Sequence, residues 1–420
     1  MRARQASSLP LLAVVSITAS LSVLPHCGPE TPEPLTPVTA ASASTSVVPS
    51  ATAIASAVPS APVRPWPATE RHPVTDHYAS TGKDVVDDYR WLEDSSSPDV
   101  KAWSAAQNGY TRKVLDASPK RAAIKDQVSK LMSGSSADWF DVQARAKRLF
   151  ALKEQPPKQQ PLLVVLSGAD DAKSEKIIFD PNAADPSGKT AIDWYVASHD
   201  GKLVAISLSK GGSESGDVHV FETDGGKERA GDVIARVNGG TAGGSLAWRG
   251  DDKGFFYTRY PRLGEKTGDD VNFFQQAFEH TLGRAEKDDV YALGRDFPRI
   301  AEIDLHAARK GNAVLARMAN GDGGEFSHFY FDGKTWVKLA DASDKLVHAI
   351  LGGDGSLYAI SLKDAPRGKV VRLSPAALAE AIKSAGAKGG LQAAEEIVPQ
   401  SDVVIEQLAV TDHKLFVVDL

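Results

Sequence analysis

A serine hydroxyl held on a sharp turn between a buried strand and a helix can attack a carbonyl carbon. The run Gly211-Gly212-Ser213-Glu214-Ser215-Gly216 comes nearest to such a turn. It does not spell Gly-x-Ser-x-Gly in any register, and no buried strand leads in or helix out, so it reads as a polar connection between strands. Gly239-Gly240-Thr241-Ala242-Gly243-Gly244 is glycine-rich enough to wrap a phosphate but lacks the Lys-Ser or Lys-Thr that completes a phosphate loop. His72 and His77, five apart in an irregular segment, have neither a cysteine nor an H-E-x-x-H run beside them to build a metal site. Asp87 and Asp88 with Glu93 and Asp94 could pair as general acid and base, yet acids at a turn and before a helix start have ordinary local reasons to be there. These residues give no catalytic, cofactor or metal residue to assign, and no cofactor is expected.

The elements around them begin with an export signal. Arg2 and Arg4 precede the mostly apolar stretch Leu9 to Leu24, and the single cysteine, Cys27, stands where that stretch ends. A lone cysteine closes no internal disulfide. Two readings stay open: Cys27 becomes the lipidated first residue of a mature bacterial lipoprotein, or it leaves with the signal. Leu24 fits the lipoprotein cleavage pattern, whereas Pro25 and His26 depart from it. The expected location is the periplasm or, through the lipid, a membrane surface. Residues 1–27 are thus read as signal. Residues 28–68, rich in Pro, Ala, Ser and Thr and nearly without charge, are read as a disordered spacer.

Residues 69–135 read as a short helical segment. Ser97-Pro98-Asp99 is a helix start, with a capping hydroxyl, proline in the first turn and an acid beside the helix dipole. Val100, Trp103, Tyr110 and Val114 follow at helical spacing, and after Ser118-Pro119 a second face carries Ile124, Val128 and Leu131. From about 136 to 420 the pattern changes to short β-branched and aromatic runs, among them Leu162 to Leu166, Leu203 to Leu208, Gly254 to Thr258, Phe326 to Phe331 and Lys414 to Asp419. Asp200-Gly201, Asp224-Gly225, Asp332-Gly333 and Asp354-Gly355 punctuate them with the residues that tight hairpins need. Units beginning Ser198-His199-Asp200-Gly201, Trp248-Arg249-Gly250-Asp251 and Gly352-Gly353-Asp354-Gly355 resemble one another at multiples of about 50 residues, a β-propeller period that gives five to six blades here. Ser374 to Lys388 reads as an inserted helix, and Phe255-Phe256-Tyr257 and Trp139-Phe140 as blade core. The net charge of -6 leaves no basic stripe for nucleic acid.

Asp87-Asp88-Tyr89-Arg90-Trp91-Leu92-Glu93-Asp94, followed by Trp103 and Gln107-Asn108, resembles the amino-terminal signature of the prolyl oligopeptidases. The likeness continues through Asp180-Pro181-Asn182, Trp194 to Ser209, Gly212 to Gly216, Asp252-Lys253-Gly254-Phe255-Phe256-Tyr257-Thr258-Arg259-Tyr260-Pro261, and His280-Thr281-Leu282-Gly283 with Asp288 and Asp289. It covers about Thr69 to Leu420. Asp88 stands where the family usually has proline, and Ser135 to Leu163 matches weakly, pointing to a remodelled first blade.

The resemblance implies a mainly β fold, a propeller of the seven-bladed type with its last blades incomplete, behind the helical segment. It also implies a serine peptidase that cuts short peptides after proline. In the family the triad sits on a carboxy-terminal α/β-hydrolase domain, which this sequence does not contain, and the propeller caps the site and admits only small peptides. Short proline-containing peptides, and a hydrolase domain in cis or in trans, are therefore the expected partners. Without that domain, Val100, Trp103, Val114, Ile124, Val128 and Leu131 would lose the surface the helices pack on, and the chain alone is expected to be poorly soluble. The alternative is a tethered propeller that binds peptides or a protein in its own right.

Overall fold

The computed structural model describes residues 66–133, 136–239, 243–262, 264–384, 391 and 393–420. Cys27, the leader, nearly all of the spacer and Gly240 to Ala242 lie outside them. The chain divides into two compact units, with the boundary between residues 134 and 135.

The first unit opens with a hairpin that the polar run Val74-Thr75-Asp76-His77-Tyr78 does not announce: β1 (Val74–Tyr78) pairs antiparallel with β2 (Lys83–Asp87). Two helices follow, α1 (Pro98–Asp116) and α2 (Arg121–Ser133), and the Ser97 hydroxyl accepts from the Asp99 N–H at 3.3 Å to cap the first. Trp91 Nε1 donates to Glu70 O, Trp103 Nε1 to Thr69 Oγ1 and Gln107 Nε2 to Pro67 O, at 3.2, 3.0 and 2.8 Å. The aromatic signature thus straps the incoming chain along α1. This covering, together with the burial of Val100, removes two residues from the face expected to be bare.

The other four stay open, with Val114 50%, Ile124 57%, Val128 51% and Leu131 68% exposed. An apolar face of this kind drives association. The triple variant Ile124→Glu, Val128→Lys, Leu131→Glu should run on size exclusion with less self-association than the parent. Because exposed positions rarely shift stability by more than about 0.5 kcal/mol each, its melting temperature should hardly move.

The second unit is a row of antiparallel sheets. Blade 1 is β3 (Asp138–Arg145), β4 (Arg148–Glu154), β5 (Leu162–Leu166) and β6 (Lys176–Phe179). After a single turn of helix, α3 (Pro181–Ala184), blade 2 is β7 (Thr190–Ala197), β8 (Leu203–Lys210), β9 (Gly216–Glu222) and β10 (Glu228–Asn238). Blade 3 is β11 (Leu246–Trp248), β12 (Gly254–Arg259), β13 (Gln276–Thr281) and β14 (Val290–Leu293). Blade 4 is β15 (Ala301–Ala307), β16 (Val314–Asn320), β17 (Phe326–Phe331) and β18 (Trp336–Ala340). Blade 5 is β19 (Leu346–Leu351), β20 (Leu357–Ser361), β21 (Lys369–Leu373) and β22 (Glu395–Val398), with α4 (Pro375–Lys383) between its last two strands. A two-stranded hairpin, β23 (Ile405–Val410) with β24 (Leu415–Asp419), follows.

The expectation of a seven-bladed type is corrected: the described residues form five four-stranded blades. The number seven came from the family as a whole. At about 50 residues per blade, five sheets use the chain from 138 to 398, and the residues after Val398 supply only the hairpin. The weakly matched first blade is a four-stranded sheet, with register shifts between Phe140 and Gln143 on β3 and between Leu163 and Val164 on β5.

Strand period explains the packing between blades. Successive side chains of a strand point to opposite faces, so a middle strand covered on both sides must be apolar at every position. On β12, Phe255 and Tyr257 enter the seam with Trp248, Val218 and Val220, while Phe256 enters the opposite seam with Ile303, Leu305 and Val314. On β8, Val204 and Ile206 face Phe150, Leu163 and Tyr195, and Ala205 faces the other way. Full burial of each such side chain contributes about 1.5–3 kcal/mol, so these unbroken apolar runs hold the blades together.

Candidate functional site

The first strand of each blade touches a first strand of a neighbour, β3 with β7, β7 with β11, β11 with β15 and β19 with β23. These are therefore the inner strands, and the hairpin turns that follow them gather around the axis at one end of the propeller.

The turns interlock through short, specific contacts. Asp252, at the blade 3 turn, accepts from the His199 N–H at 2.9 Å, the Asp200 N–H at 2.8 Å and the His199 ring at 2.8 Å. The other ring nitrogen of His199 lies 3.0 Å from the Ala308 carbonyl, so one imidazole ties blades 2, 3 and 4. Gly250 is glycine for a steric reason, since a Cβ there would overlap the Gly311 carbonyl of blade 4. Asp252 also sits at φ 52°, a left-handed conformation that Asp and Asn tolerate best after glycine. Asp252→Ala should therefore cost about 2–3 kcal/mol, from lost charge-assisted bonds and orphaned N–H groups, and Asp252→Asn clearly less. Urea unfolding followed by tryptophan fluorescence measures both. Equal losses would count against this account of the turn.

Basic residues crowd the same end. The blade 1 turn runs Arg145-Ala146-Lys147-Arg148, with non-glycine residues left-handed at both central positions, φ 44° and 67°. Arg148 is neutralised by a two-pronged bond to Asp224 at 3.1 and 2.9 Å. Arg145 is half-buried and donates to its neighbour's carbonyl, Ala144 O, at 2.9 Å. Burial, and then the like charge of Arg309, push its guanidinium below the usual arginine range, while Tyr195 and Asp252 act the other way. Arg309 and Lys310 share one acid, Asp412 of the β23–β24 turn, at 3.5 and 3.4 Å. Lys310 and then Arg309 hold the Asp412 carboxyl below its ordinary value. Arg145, Lys147, Arg148, Arg309 and Asp412 line one open cavity of about 520 Å³, with Ala144, Ala146 and Leu149 supplying apolar wall.

A second polar cluster lies in the seam between blades 4 and 5. Asp304 and His306 on β15, Arg317 on β16, His328 on β17 and His348 on β19 meet there. Arg317 pairs with Asp304 and donates to Val347 O at 3.3 Å. His328 is 1% exposed, and neither ring nitrogen has a hydrogen-bond partner among the described residues. Burial first, then Arg317, hold its pKa down to about 4.

The residues singled out for chemistry are placed elsewhere. Ser213 and Ser215 lie in the loop between β8 and β9, where the Ser213 hydroxyl accepts from the Ser215 N–H at 3.3 Å. His72 faces Glu70 at 3.4 Å and His77 faces Asp84 at 2.6 Å, both exposed. Asp87 accepts from the Tyr89 N–H, Asp88 pairs with Arg71, and Asp94 accepts from Ser96. Among the described residues no group of His, Cys, Asp and Glu is arranged to hold a metal. Arg145, Arg309 and the seam histidines carried no motif. The available signal was a strand–turn–strand pattern whose turn is Arg-Ala-Lys-Arg in place of Asp-Gly.

The family model described as "Prolyl oligopeptidase, N-terminal beta-propeller domain" matches residues 67–420. The chain belongs to this family. A prolyl endopeptidase of Elizabethkingia meningoseptica is 27% identical over 314 residues, 73% of this chain and 42% of the relative. Prolyl oligopeptidase A of Amanita bisporigera is 25% identical over 349 residues, 73% and 44% of the two chains. The chain therefore spans less than half the length of these curated relatives. A solved prolyl endopeptidase structure superposes with a TM-score of 0.73 at 25% identity, covering 84% of this chain and 50% of that one. Prolyl oligopeptidase B of Galerina marginata, solved with a 35mer hydrolysis and macrocyclization substrate, shares the fold at a TM-score of 0.64 and 19% identity, over 82% of this chain and 49% of that one. In this member of the prolyl oligopeptidase family, the signature Asp87 to Asp94 acts as the strap on α1, and His280 with Asp232 joins two blades.

Proposed function

We propose that this chain is the amino-terminal and propeller part of an exported prolyl-oligopeptidase-type serine endopeptidase. A hydrolase domain would supply the chemistry, and the propeller would limit access to short peptides that contain proline. The match of residues 67–420 to the family's propeller, beside relatives named as prolyl endopeptidases, carries the reading. The basic leader, the apolar run and Cys27 support export with a lipid anchor, in a bacterial periplasm or on its membrane.

Reading the DNA beyond the Leu420 codon in all frames tests the enzymatic part. A Gly-Gly-Ser-x-Gly-Gly motif within a few hundred codons supports it, and unrelated sequence there would favour a tethered binding propeller instead. Residues 1–420 expressed by themselves should not turn over a succinyl-Gly-Pro chromogenic substrate. A fatty-acid label present on the parent and absent from Cys27→Ala would establish the anchor, and equal labelling would remove it.

A further inference from the structure

Charge at the axial mouth is out of balance. Arg145, Lys147, Arg148 and Arg309 line the cavity against the one carboxylate of Asp412. Asp224 accounts for Arg148, and Asp412 is already divided between Arg309 and Lys310. Among the described residues no carboxylate stands in ion-pair contact with Arg145, and the group nearest to it in electrostatic effect is another arginine. Two guanidiniums drawn together inside a cleft repel each other, and an anion between them turns that cost into attraction. Arginine's planar fork matches a carboxylate with two parallel hydrogen bonds. The cavity is within the range of small-ligand sites, and its alanine and leucine wall gives an apolar body somewhere to lie. The left-handed turn at Ala146 and Lys147 spends backbone energy to present this edge, as binding turns often do.

We propose that the axial mouth is a carboxylate-binding site, with Arg145 and Arg309 as its two ligands and the terminal carboxylate of a short peptide as its occupant. The choice of a peptide over another carboxylate rests on reading the chain as part of a peptidase, whereas the anion site rests on the residues alone.

Titration calorimetry on the full chain, with the tripeptide Ala-Gly-Pro as free acid, its C-terminal amide and sodium acetate, tests this. The free acid should bind and the amide should bind at least about tenfold more weakly, one charge-assisted pair being worth about that factor. R145Q and R309Q should each weaken the free acid by a similar factor, and R145K, which keeps the charge, should restore most of it. R145K also controls for folding, since its melt should match the parent. Equal binding of acid and amide, no binding of either, or an R145Q variant that binds like the parent would overturn the site. Acetate binding as tightly as the tripeptide would overturn the peptide as occupant. None of these outcomes bears on the sequence beyond Leu420, so the site and the peptidase reading fail separately.

Discussion

Replacing His280 with alanine is expected to lower stability by about 3–5 kcal/mol, the usual cost of removing one partner from a buried charged pair. His280 on β13 is fully buried. Its Nδ1 lies 2.7 Å from Asp289 and its Nε2 3.4 Å from Asp232 on β10, so the ring joins blade 2 to blade 3. Tyr257 donates to the second oxygen of Asp289 at 2.8 Å, and Arg229 and the Gly283 N–H donate to Asp232. With the ring gone, two acids face a void with only part of their hydrogen bonding left.

The pH dependence gives an independent check. Burial alone would lower the pKa of His280, but the bond to Asp289, its charge and then Asp232 raise it above the ordinary value. A raised histidine stabilises fully below the unfolded value and loses that contribution as pH climbs through the folded one. The parent should therefore weaken on the alkaline side more than His280→Ala does. Urea midpoints measured across pH decide it: a loss below about 1 kcal/mol would show that the pair is dispensable.

The second large effect runs the other way. His328 is held neutral down to about pH 4, and His348, whose burial and neighbours His306 and Arg317 act alike, also to about 4. The unfolded chain takes up these protons near pH 6.5, so stability is fully present above that value and is lost as pH falls from about 6.5 toward about 4. For His328 the full effect is about 3 kcal/mol. The facing groups are Asp304 and His306 on β15, Arg317 on β16 and His348 on β19, and only Asp304 would welcome a new positive charge. His328→Leu also removes two unpaired buried nitrogens, so it should match or exceed the parent at pH 7.5 and melt with a shallower acid branch. An unchanged acid branch would place the titration elsewhere.

Local chemistry was legible in the sequence. Gly201, Gly225, Gly333 and Gly355 all take the positive φ that their Asp-Gly turns required, and Leu162–Leu166 and Phe326–Phe331 form strands with the boundaries read from composition. The helix expected within Ser374 to Lys388 is α4, capped by Ser374. The hairpin β1–β2 was not legible, because its strands are exposed and need no apolar alternation. The period of about 50 residues pointed to five to six blades, in keeping with the five found among the described residues, and only the number seven, taken from the family, was too high. The axial mouth was hidden for a different reason: Arg145 and Arg309, like His199 and Ala308, meet only when the ring of turns assembles, and no local period records a contact of that span.

The division of each middle strand between two seams has a consequence for how the molecule comes apart. A blade with neighbours on both sides behaves as an interior link in a nearest-neighbour chain, because its removal strips two interfaces at once. The β23–β24 hairpin contributes Ile405 and Leu408 to a single seam with Ile360 and Val370. Among the described residues it shares that one seam, so its opening strips a single interface. Asp412 travels with it, so the counter-charge at the axial mouth is mounted on an element that this one seam holds in place.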